Sequence, residues 1–426
     1  MLSFGILLIY KTKIMYKTAT SITICLTLLL AACNTKTPNK IDAAPRIASD
    51  TSGVEKDAPN SNYKPAFAGQ TRGVAVKTTT AVEGKIVGKG LDRPWGIVSL
   101  PDGRLLITLK DAGTMLIATT DGVYSAPITG LPPVAKEGQG GLLGVTIDPN
   151  FSTNRMVYWS YSGIVGDANL TAVAKGRLSD DEKKIENAIT IYQATPAFKS
   201  DKHFGSRLVF DKAGNLIFSA GERSELATRP QAQFLNSSLG KIIRITTDGK
   251  PAPGNPFAGV DSARPEIYSY GHRNPQGLAF HPTTGDLWEV EFGPRGGDEL
   301  NRIVPGKNYG WPTITYGIEY AGEKVGEGIQ QKAGLEQPVY YWDPVISPGG
   351  ITFYSSDSIP EWKNNLFICG QSSQQLTRLV IKDNKVVGEE RFLHDQNKRF
   401  RAITTHEDGA MYAITDDGFL YRFGKK

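Results

Sequence analysis

Short apolar stretches separated by turn-forming residues recur along the chain from about residue 84 to its end. Each unit has an apolar strand, a turn rich in Pro, Asp, Asn or Gly, and a second apolar strand. Six copies occur, at 95–108, 143–151, 207–218, 277–288, 350–354 and 401–414. Short alternating stretches bounded by turn residues indicate β-strands, and the sequence shows no sustained helical period.

The spacing of these units predicts the architecture. Consecutive units lie about 50 to 70 residues apart, slightly more than the roughly 40 to 50 residues of common four-stranded propeller blades. We therefore expect residues 84–426 to form an all-β, six-bladed β-propeller with four-stranded antiparallel blades, the extra length lying in loops. A β-sandwich or a larger barrel is the alternative, but neither accounts for the repeated unit as directly.

The first 33 residues have the pattern of a bacterial lipoprotein signal. A basic segment with Lys17 precedes an apolar run from Ile22 to Leu30, and two alanines stand directly before Cys33. The run is short for a membrane-spanning helix, which needs about 20 apolar residues; a transmembrane anchor or an ordinary secretory peptide is the alternative. We expect an exported protein, periplasmic or at the cell surface, held to a bacterial membrane only by lipid on Cys33.

Residues 34–83 are rich in Thr, Asn, Pro, Lys and Asp and lack periodic apolar positions. Such a composition buries too little apolar surface to offset the entropy lost on ordering. We expect this segment to be a flexible polar tether between the lipid and the propeller.

The charge and the cysteine content argue against a nucleic-acid partner and against an internal disulfide. The formal net charge of the 426 residues is +5, but Lys11, Lys13 and Lys17 belong to the signal, which leaves about +2 on the mature chain. With no basic stripe remaining, nucleic acid is not an expected partner. Of three cysteines only Cys369 lies in the predicted propeller, so we expect no internal disulfide.

Polar residues at the junctions between loops and strands are the candidates for chemistry, because propeller loops carry function while the strands supply rigidity. His203 precedes the third repeat, and Glu222 follows the strand that ends it. Strand pairing within one blade would bring the carboxylate back to the imidazole, which can accept a proton near neutral pH. Gln139, in a glycine-rich turn, is a further candidate; structural roles remain the alternative for all three.

Two pairs of donors precede strands of later blades. Arg273 and Asn274 come before the fourth repeat and can grip a planar anion. Arg399 and Arg401 alternate at strand period, so both side chains point to one side and can bind carboxylates. Turn chemistry and a basic edge that discourages aggregation are the respective alternatives.

The stretch 293–301 is glycine-rich and contains the adjacent acids Asp298 and Glu299. Carboxylates and carbonyls freed from strand pairing are the oxygen ligands that Ca²⁺ prefers. A metal or ligand loop is therefore favoured over a solvated turn.

Together these segments resemble the soluble aldose sugar dehydrogenases that use pyrroloquinoline quinone (PQQ), in the glucose/sorbosone dehydrogenase family. The resemblance runs from Leu91 to Tyr421. It is carried by strings that occur in family order, GQGGLL at 138–143, HFGSRLVF at 203–210, RNPQG at 273–277, GPRGGDE at 293–299 and NYGWP at 308–312.

The resemblance implies an activity and its residues. His203 matches the general base that takes the proton of the anomeric hydroxyl while hydride passes to PQQ, and Glu222 matches its acidic partner. An aldose would become a lactone, and a respiratory electron acceptor would reoxidise the cofactor. The residues that match positions around the quinone are Gln139, Arg273, Asn274, Arg399 and Arg401.

The resemblance also implies calcium. The carbonyls of Gly293 and Pro294 match ligands of the calcium ion that activates PQQ as a Lewis acid. Glu299 and Tyr309 match a second, structural calcium site.

Three positions depart from the family pattern. Phe292 stands where a polar residue is usual, Gln371 or Ser372 takes the place of a lysine in the fifth blade, and Ala402 replaces an aspartate. The departures keep open a surface propeller that binds carbohydrate without redox chemistry, having lost PQQ. A calcium-dependent lactone hydrolase on a similar propeller is a third alternative, although such a site needs several convergent carboxylates or amides and only Glu222 and Glu299 can be placed.

Overall fold

The computed structural model describes residues 55–426, so the predicted signal, Cys33 and the predicted tether at 34–54 lie outside the described residues. Six antiparallel sheets contain nearly all of the regular secondary structure of the described part. Their strands are β1 (Val82–Lys89), β2 (Pro94–Ser99), β3 (Leu105–Leu109), β4 (Thr114–Ala118), β5 (Leu142–Ile147), β6 (Met156–Val165), β7 (Ala168–Leu178), β8 (Ile185–Gln193), β9 (Leu208–Phe210), β10 (Leu216–Ala220), β11 (Lys241–Ile245), β12 (Ile267–Tyr270), β13 (Pro275–Phe280), β14 (Leu287–Glu291), β15 (Asp298–Ile303), β16 (Tyr340–Trp342), β17 (Pro348–Phe353), β18 (Leu366–Gly370), β19 (Gln375–Lys382), β20 (Lys385–Phe392), β21 (Phe400–Thr405), β22 (Met411–Thr415) and β23 (Phe419–Lys425).

Helical structure is confined to single turns in this range. They are α1 (Phe151–Asn154) and three 3₁₀ helices, Arg229–Gln233, Pro360–Trp362 and His394–Gln396. Among residues 55–426, no helix is long and apolar enough to cross a membrane.

The sheets are the six blades of a propeller, which confirms the predicted fold. β2–β4, β5–β8, β9–β12, β13–β16 and β17–β20 form five blades in chain order, and β21–β23 form the sixth with β1. The first strand of each blade adjoins the first strands of its two neighbours, so β2, β5, β9, β13, β17 and β21 ring a central channel. Each sequence repeat overlaps or adjoins one of these innermost strands.

The sixth blade joins the two ends of the domain. β1 pairs antiparallel with β23, from Val82 opposite Lys425 to Lys89 opposite Phe419. This pairing closes the ring, because the same sheet contains the first and the last strand of the propeller.

Apolar side chains fill the spaces between blades, and small residues let the innermost strands approach. One buried cluster surrounds Trp159, and another surrounds Trp362. A Cβ atom on Gly144 would lie 2.2 Å from the Ser206 carbonyl oxygen, a separation that only glycine allows. The ring is therefore close-packed near its axis.

Residues 55–81, assigned from composition to the flexible tether, instead pack against the propeller. Val76 N donates to Glu389 O at 3.0 Å, which adds a short edge to β20. Thr78 Oγ1 donates to Glu390 Oε2 at 2.7 Å and accepts from Trp362 Nε1 at 2.7 Å. The tether prediction is corrected for this part: its polar groups are satisfied by propeller side chains, which composition does not reveal.

Asp343, between β16 and β17, anchors the beginning of this segment. Its Oδ1 accepts from Asn60 N at 2.8 Å and Asn60 Nδ2 at 2.9 Å. Its Oδ2 accepts from Ser61 N and Ser61 Oγ, both at 3.1 Å. Asn60 Oδ1 in turn accepts from Arg295 Nε at 3.1 Å, so the segment is tied to the glycine-rich loop that contains Arg295.

Replacing Asp343 with alanine should detach the beginning of the segment, because four donors lose a buried carboxylate. We expect Asp343→Ala to lower the free energy of unfolding by about 2–3 kcal/mol and to speed proteolytic cleavage within residues 55–81. Asp357→Ala is the matched control, since that side chain is 83% exposed and its pair with Lys363 contributes little. Equal stability and protease resistance of the two variants would contradict this role.

Candidate active site

A polar cavity of about 170 Å³ lies at one end of the central channel. Four of its lining residues lie near the start of four different innermost strands, which places them at the same end of the propeller. They are Trp95, Leu143, Gln276 and Arg401. The other lining residues are Arg93, Lys110, Gly138, Gln139, Phe204, Gly205, Phe292, Gln371 and Arg399.

The lining is cationic. The positive charges are those of Arg93, Lys110, Arg399 and Arg401, and no carboxylate is among the described residues that line the cavity. Asp111, outside the lining, pairs with Arg93 at 3.4 Å and with Lys110 at 2.5 Å. Such a wall attracts anionic ligands, the more so where apolar groups limit the access of water. Sequence reasoning identified the two later arginines but not Arg93 or Lys110, which lie in the first blade.

His203 and Glu222 meet beside this cavity, as the blade hairpin predicts. His203 precedes β9 and Glu222 follows β10; His203 Nδ1 lies 2.5 Å from Glu222 Oε1. His203 N also donates to Gln139 Oε1 at 2.8 Å, so the predicted glutamine holds the backbone of the predicted base. Nε2 of His203 has no hydrogen-bond partner in the described part of the chain.

The surroundings of His203 favour the neutral imidazole. Burial lowers its pKa to about 4, the positive charge of Arg273 acts in the same direction, and Glu222 partly offsets both. A neutral imidazole with a carboxylate at Nδ1 can accept a proton at Nε2 and become a stabilised cation.

Three donors close to the cavity are buried without partners among residues 55–426. They are Arg273 Nε, Asn274 Nδ2 and Gln371 Nε2. Unpartnered buried donors are costly, which points to acceptor oxygens of a ligand. Asn274 Oδ1, by contrast, accepts from Gly205 N at 3.0 Å and so ties the third and fourth blades together.

Arg399 and Arg401 converge on one acid that sequence reasoning missed. Arg399 Nε donates to Asp416 Oδ2 at 2.9 Å, and Arg401 Nε donates to Asp416 Oδ1 at 2.7 Å. Asp416 thus orients both guanidinium groups although Ala402 offers no carboxylate. Asp416 lies 15 residues after Arg401. Because this spacing matches no motif, the sequence could not reveal the contact.

In the fifth blade, where the family pattern predicts a lysine, Gln371 rather than Ser372 lines the cavity. Gln371 is 1% exposed and accepts from Arg399 Nη2 at 3.3 Å through Oε1. Ser372 is exposed, and its hydroxyl donates to Val345 O at 3.2 Å. A neutral amide donor therefore replaces the cation expected there, and Phe292 lines the cavity beside it.

The glycine-rich loop that follows β14 presents backbone oxygens. Gly293 O accepts from Arg273 Nη1 at 2.7 Å, while Pro294 O accepts no hydrogen bond from the described residues. Asp298 holds the loop rather than offering a free ligand, since its oxygens accept from Gly293 N at 2.8 Å and Ser347 N at 2.7 Å. Burial raises the pKa of Asp298 to about 7, an effect that these two hydrogen bonds reduce.

Glu299 and Tyr309 line a second, ion-sized cavity of about 10 Å³ that also contacts Glu291. The pKa of Glu299 is raised well above its usual value by burial and by the charge of Glu291. The Tyr309 hydroxyl is already satisfied, since it donates to Arg302 O at 2.7 Å and accepts from Val304 N. Carboxylates crowded around a small cavity suit a cation that neutralises them.

Glu291 also belongs to a cluster of buried polar residues next to this cavity. His272, Glu289 and Glu291 each offer a ligand atom within 4.8 Å of the others. Glu289 Oε1 and Asn301 Oδ1 are buried and have no partner in the described range. Sequence reasoning missed this group, although Glu289 and Glu291 alternate at strand period on β14 and therefore share a face.

Comparisons with known proteins show which family the chain belongs to. Aldose sugar dehydrogenase YliI of Escherichia coli (strain K12) is 42% identical over 330 residues, covering 77% of this chain and 88% of that protein. The apo form of the soluble aldose sugar dehydrogenase from Escherichia coli matches with a TM-score of 0.78 and 40% identity, over 81% of this chain and 100% of that one.

A third relative has been solved with its cofactor. The PQQ-bound form of aldose sugar dehydrogenase from Streptomyces coelicolor has a TM-score of 0.68 and 27% identity, over 82% of this chain and 100% of that chain. Residues 91–422 match the sequence profile described as glucose/sorbosone dehydrogenase. On this coverage, and with the propeller and its cavity in agreement, the chain belongs to the glucose/sorbosone dehydrogenase family.

Proposed function

We propose that this chain oxidises aldose sugars to lactones with PQQ and Ca²⁺. The observation that carries the proposal is the group of unpartnered donors, Arg273 Nε, Asn274 Nδ2 and Gln371 Nε2, buried near a cationic cavity beside His203 and Glu222. Donors without acceptors suit a planar, anionic cofactor, and the imidazole supplies the base that sugar oxidation requires.

His203 is the proposed general base. Its neutral form has a free Nε2 that can take the proton of the anomeric hydroxyl, and Glu222 Oε1 at 2.5 Å stabilises the imidazolium that results. Gln139 Oε1 fixes the backbone of His203 at 2.8 Å, which limits the freedom of the base.

The residues that would hold PQQ are donors in and next to the cavity: Gln139, Arg399 and Arg401 line it, and Arg273 and Asn274 are buried close to it. Bound PQQ would supply the two-electron acceptor for the sugar. Asp416 keeps Arg399 and Arg401 side by side, which suits them to carboxylates of the cofactor. Gln371 adds a neutral donor where the family resemblance predicts a cation.

Calcium has two proposed places. Pro294 O, which accepts no hydrogen bond from the described residues, and Gly293 O are carbonyl ligands suited to a hard cation next to the cofactor. Glu299 and the carbonyl of Tyr309 would hold a second ion in the small cavity, where Glu291 adds negative charge.

We further propose an exported lipoprotein, anchored through Cys33, that passes electrons to a respiratory acceptor. The support is the lipoprotein pattern that ends at Cys33. Metabolic labelling with a radioactive fatty acid tests it: label should enter the wild-type protein and not Cys33→Ala.

Cofactor titration separates the proposed dehydrogenase from a sugar-binding propeller without redox chemistry. We expect PQQ added to the calcium-loaded protein to change its absorbance in a saturable way, and an aldose then to reduce a redox dye. His203→Ala should still bind PQQ but lose at least about 100-fold in dye reduction, because it lacks only the base. Absence of saturable PQQ binding, with sugar binding retained, would support the non-redox alternative.

The low pKa of His203 predicts acid sensitivity. The unfolded chain takes up a proton on this imidazole below about pH 6.5, whereas the folded protein does so only near pH 4. Stability should therefore fall by about 2–3 kcal/mol between pH 7 and pH 4.5 from this group alone. His203→Gln should remove that part of the pH dependence in urea unfolding, while the same change at the exposed His394 should leave it intact; identical slopes would rule out the buried neutral imidazole.

Calcium bound at Glu299 should stabilise the protein without PQQ. At calcium concentrations about 100 times Kd, mass action predicts about 2.7 kcal/mol of stabilisation from one site. We expect Glu299→Gln to lose most of this gain in thermal unfolding, and Glu323→Gln, an exposed glutamate of the 316–324 loop, to keep it. A calcium response that survives Glu299→Gln would exclude the small cavity as a binding site.

A further inference from the structure

Arg207 lies near the axis of the propeller, between two cavities. Its guanidinium group stacks on Trp95, 4.4 Å from the ring centroid, and Trp95 lines the cationic cavity described above. Arg207 itself lines another cavity of about 330 Å³, here named the distal cavity, which lies between the innermost strands further along the channel. The side chain therefore separates the candidate active site from the rest of the channel.

The positive charge of Arg207 is not balanced by the described residues. Its Nε donates to Gln276 O at 2.9 Å, Nη2 is buried without a partner, and no carboxylate in residues 55–426 forms an ion pair with it. Burial lowers the pKa of Arg207 to about 10, which still leaves it charged at neutral pH. A buried charge without a counter-charge is strongly destabilising.

The neighbours of Arg207 do not supply the missing charge. Burial raises the pKa of the Cys369 thiol, so this nearby group is neutral. Arg401 adds positive charge, and its own partner Asp416 is shared with Arg399. Trp95 offers only a cation–π contact, which is weaker than an ion pair.

Arg207 packs closely against the inner strands on one side and faces open space on another. A Cβ placed on Gly350 would be 3.3 Å from Arg207 Nη2 and 3.2 Å from Ala402 Cβ, so only small residues fit beside Nη2. The open space is the distal cavity, which Arg207 lines together with Gly350, Ile351 and Ile403 and whose apolar groups strengthen electrostatic attraction.

We propose that Arg207 binds a small monovalent inorganic anion, such as chloride, in the distal cavity that it lines with Gly350. One positive charge requires one negative charge. The anion stabilises the central ring and keeps the floor of the candidate active site neutral on its far side. This site is separate from the calcium and PQQ sites and does not depend on the proposed activity.

Anomalous scattering tests the site directly. Crystals of the wild-type protein grown or soaked in sodium bromide should show a bromide peak within about 3.5 Å of an Arg207 Nη atom. Ala402→Asp places a carboxylate next to Arg207 and should remove the peak. No bromide at Arg207 in the wild type would overturn the proposal, and a peak that persists unchanged in Ala402→Asp would mark an adventitious ion only and overturn it as well.

Stability in solution gives a second readout. In the absence of PQQ and calcium, replacing gluconate by chloride at constant ionic strength should raise the Tm of the wild type by about 1–3 °C. Ala402→Asp should be at least as stable as the wild type in gluconate and show no chloride response. Ala402→Asn introduces a side chain of the same shape without a charge. It should therefore show neither the stability of Ala402→Asp in gluconate nor the chloride response of the wild type. Equal wild-type Tm values in the two salts would refute anion binding.

Discussion

The pairing of β1 with β23 is the constraint on which the candidate site depends. Cavity-lining residues come from the starts of innermost strands in different blades, such as Trp95 on β2 and Arg401 on β21. No single blade contains the site, so its geometry exists only while the ring is closed. Closure is achieved by hydrogen bonds between strands far apart in sequence, and small residues such as Gly144 let the inner strands approach closely enough to share one cavity.

A second constraint is the placement of charge near the axis. The cavity wall concentrates cations and unpartnered donors, while the fourth blade concentrates the carboxylates of Glu289, Glu291 and Glu299. Each group is unfavourable by itself, because buried charges and polar atoms require partners. Their arrangement suits ligands of opposite charge, an anionic cofactor in the first case and a metal cation in the second. Arg273 lies between the two groups, since it lines the small cavity together with Glu291 and Glu299.

The fold and part of the site could be predicted because they leave local signals. The repeats reveal the innermost strands, and the His203–Glu222 pair follows from the return of a strand within one hairpin. Asp416 could not be predicted, since its contact with Arg401 joins positions at no characteristic spacing. Residues 55–81 were misjudged for a related reason: their polar side chains bond to carboxylates such as Asp343 and Glu390, which lie more than 250 residues away in sequence.

The three positions that depart from the family pattern, Phe292, Gln371 and Ala402, change where the hydrogen-bond donors of the cavity lie more than they remove donors. Gln371 keeps a donor but not a charge in the fifth blade, and Asp416 supplies an acid that Ala402 does not. Lys110, in the first blade, brings an ammonium group that pairs with Asp111 to the cavity. It also donates to Gly140 O at 2.8 Å, which fixes the loop that contains Gln139. Phe292 alone has no polar replacement in the described lining. The four cations that line the cavity therefore come from the first and sixth blades, while the unpartnered donors of Arg273, Asn274 and Gln371 belong to the fourth and fifth blades. An anionic cofactor would be held from both sides of the ring.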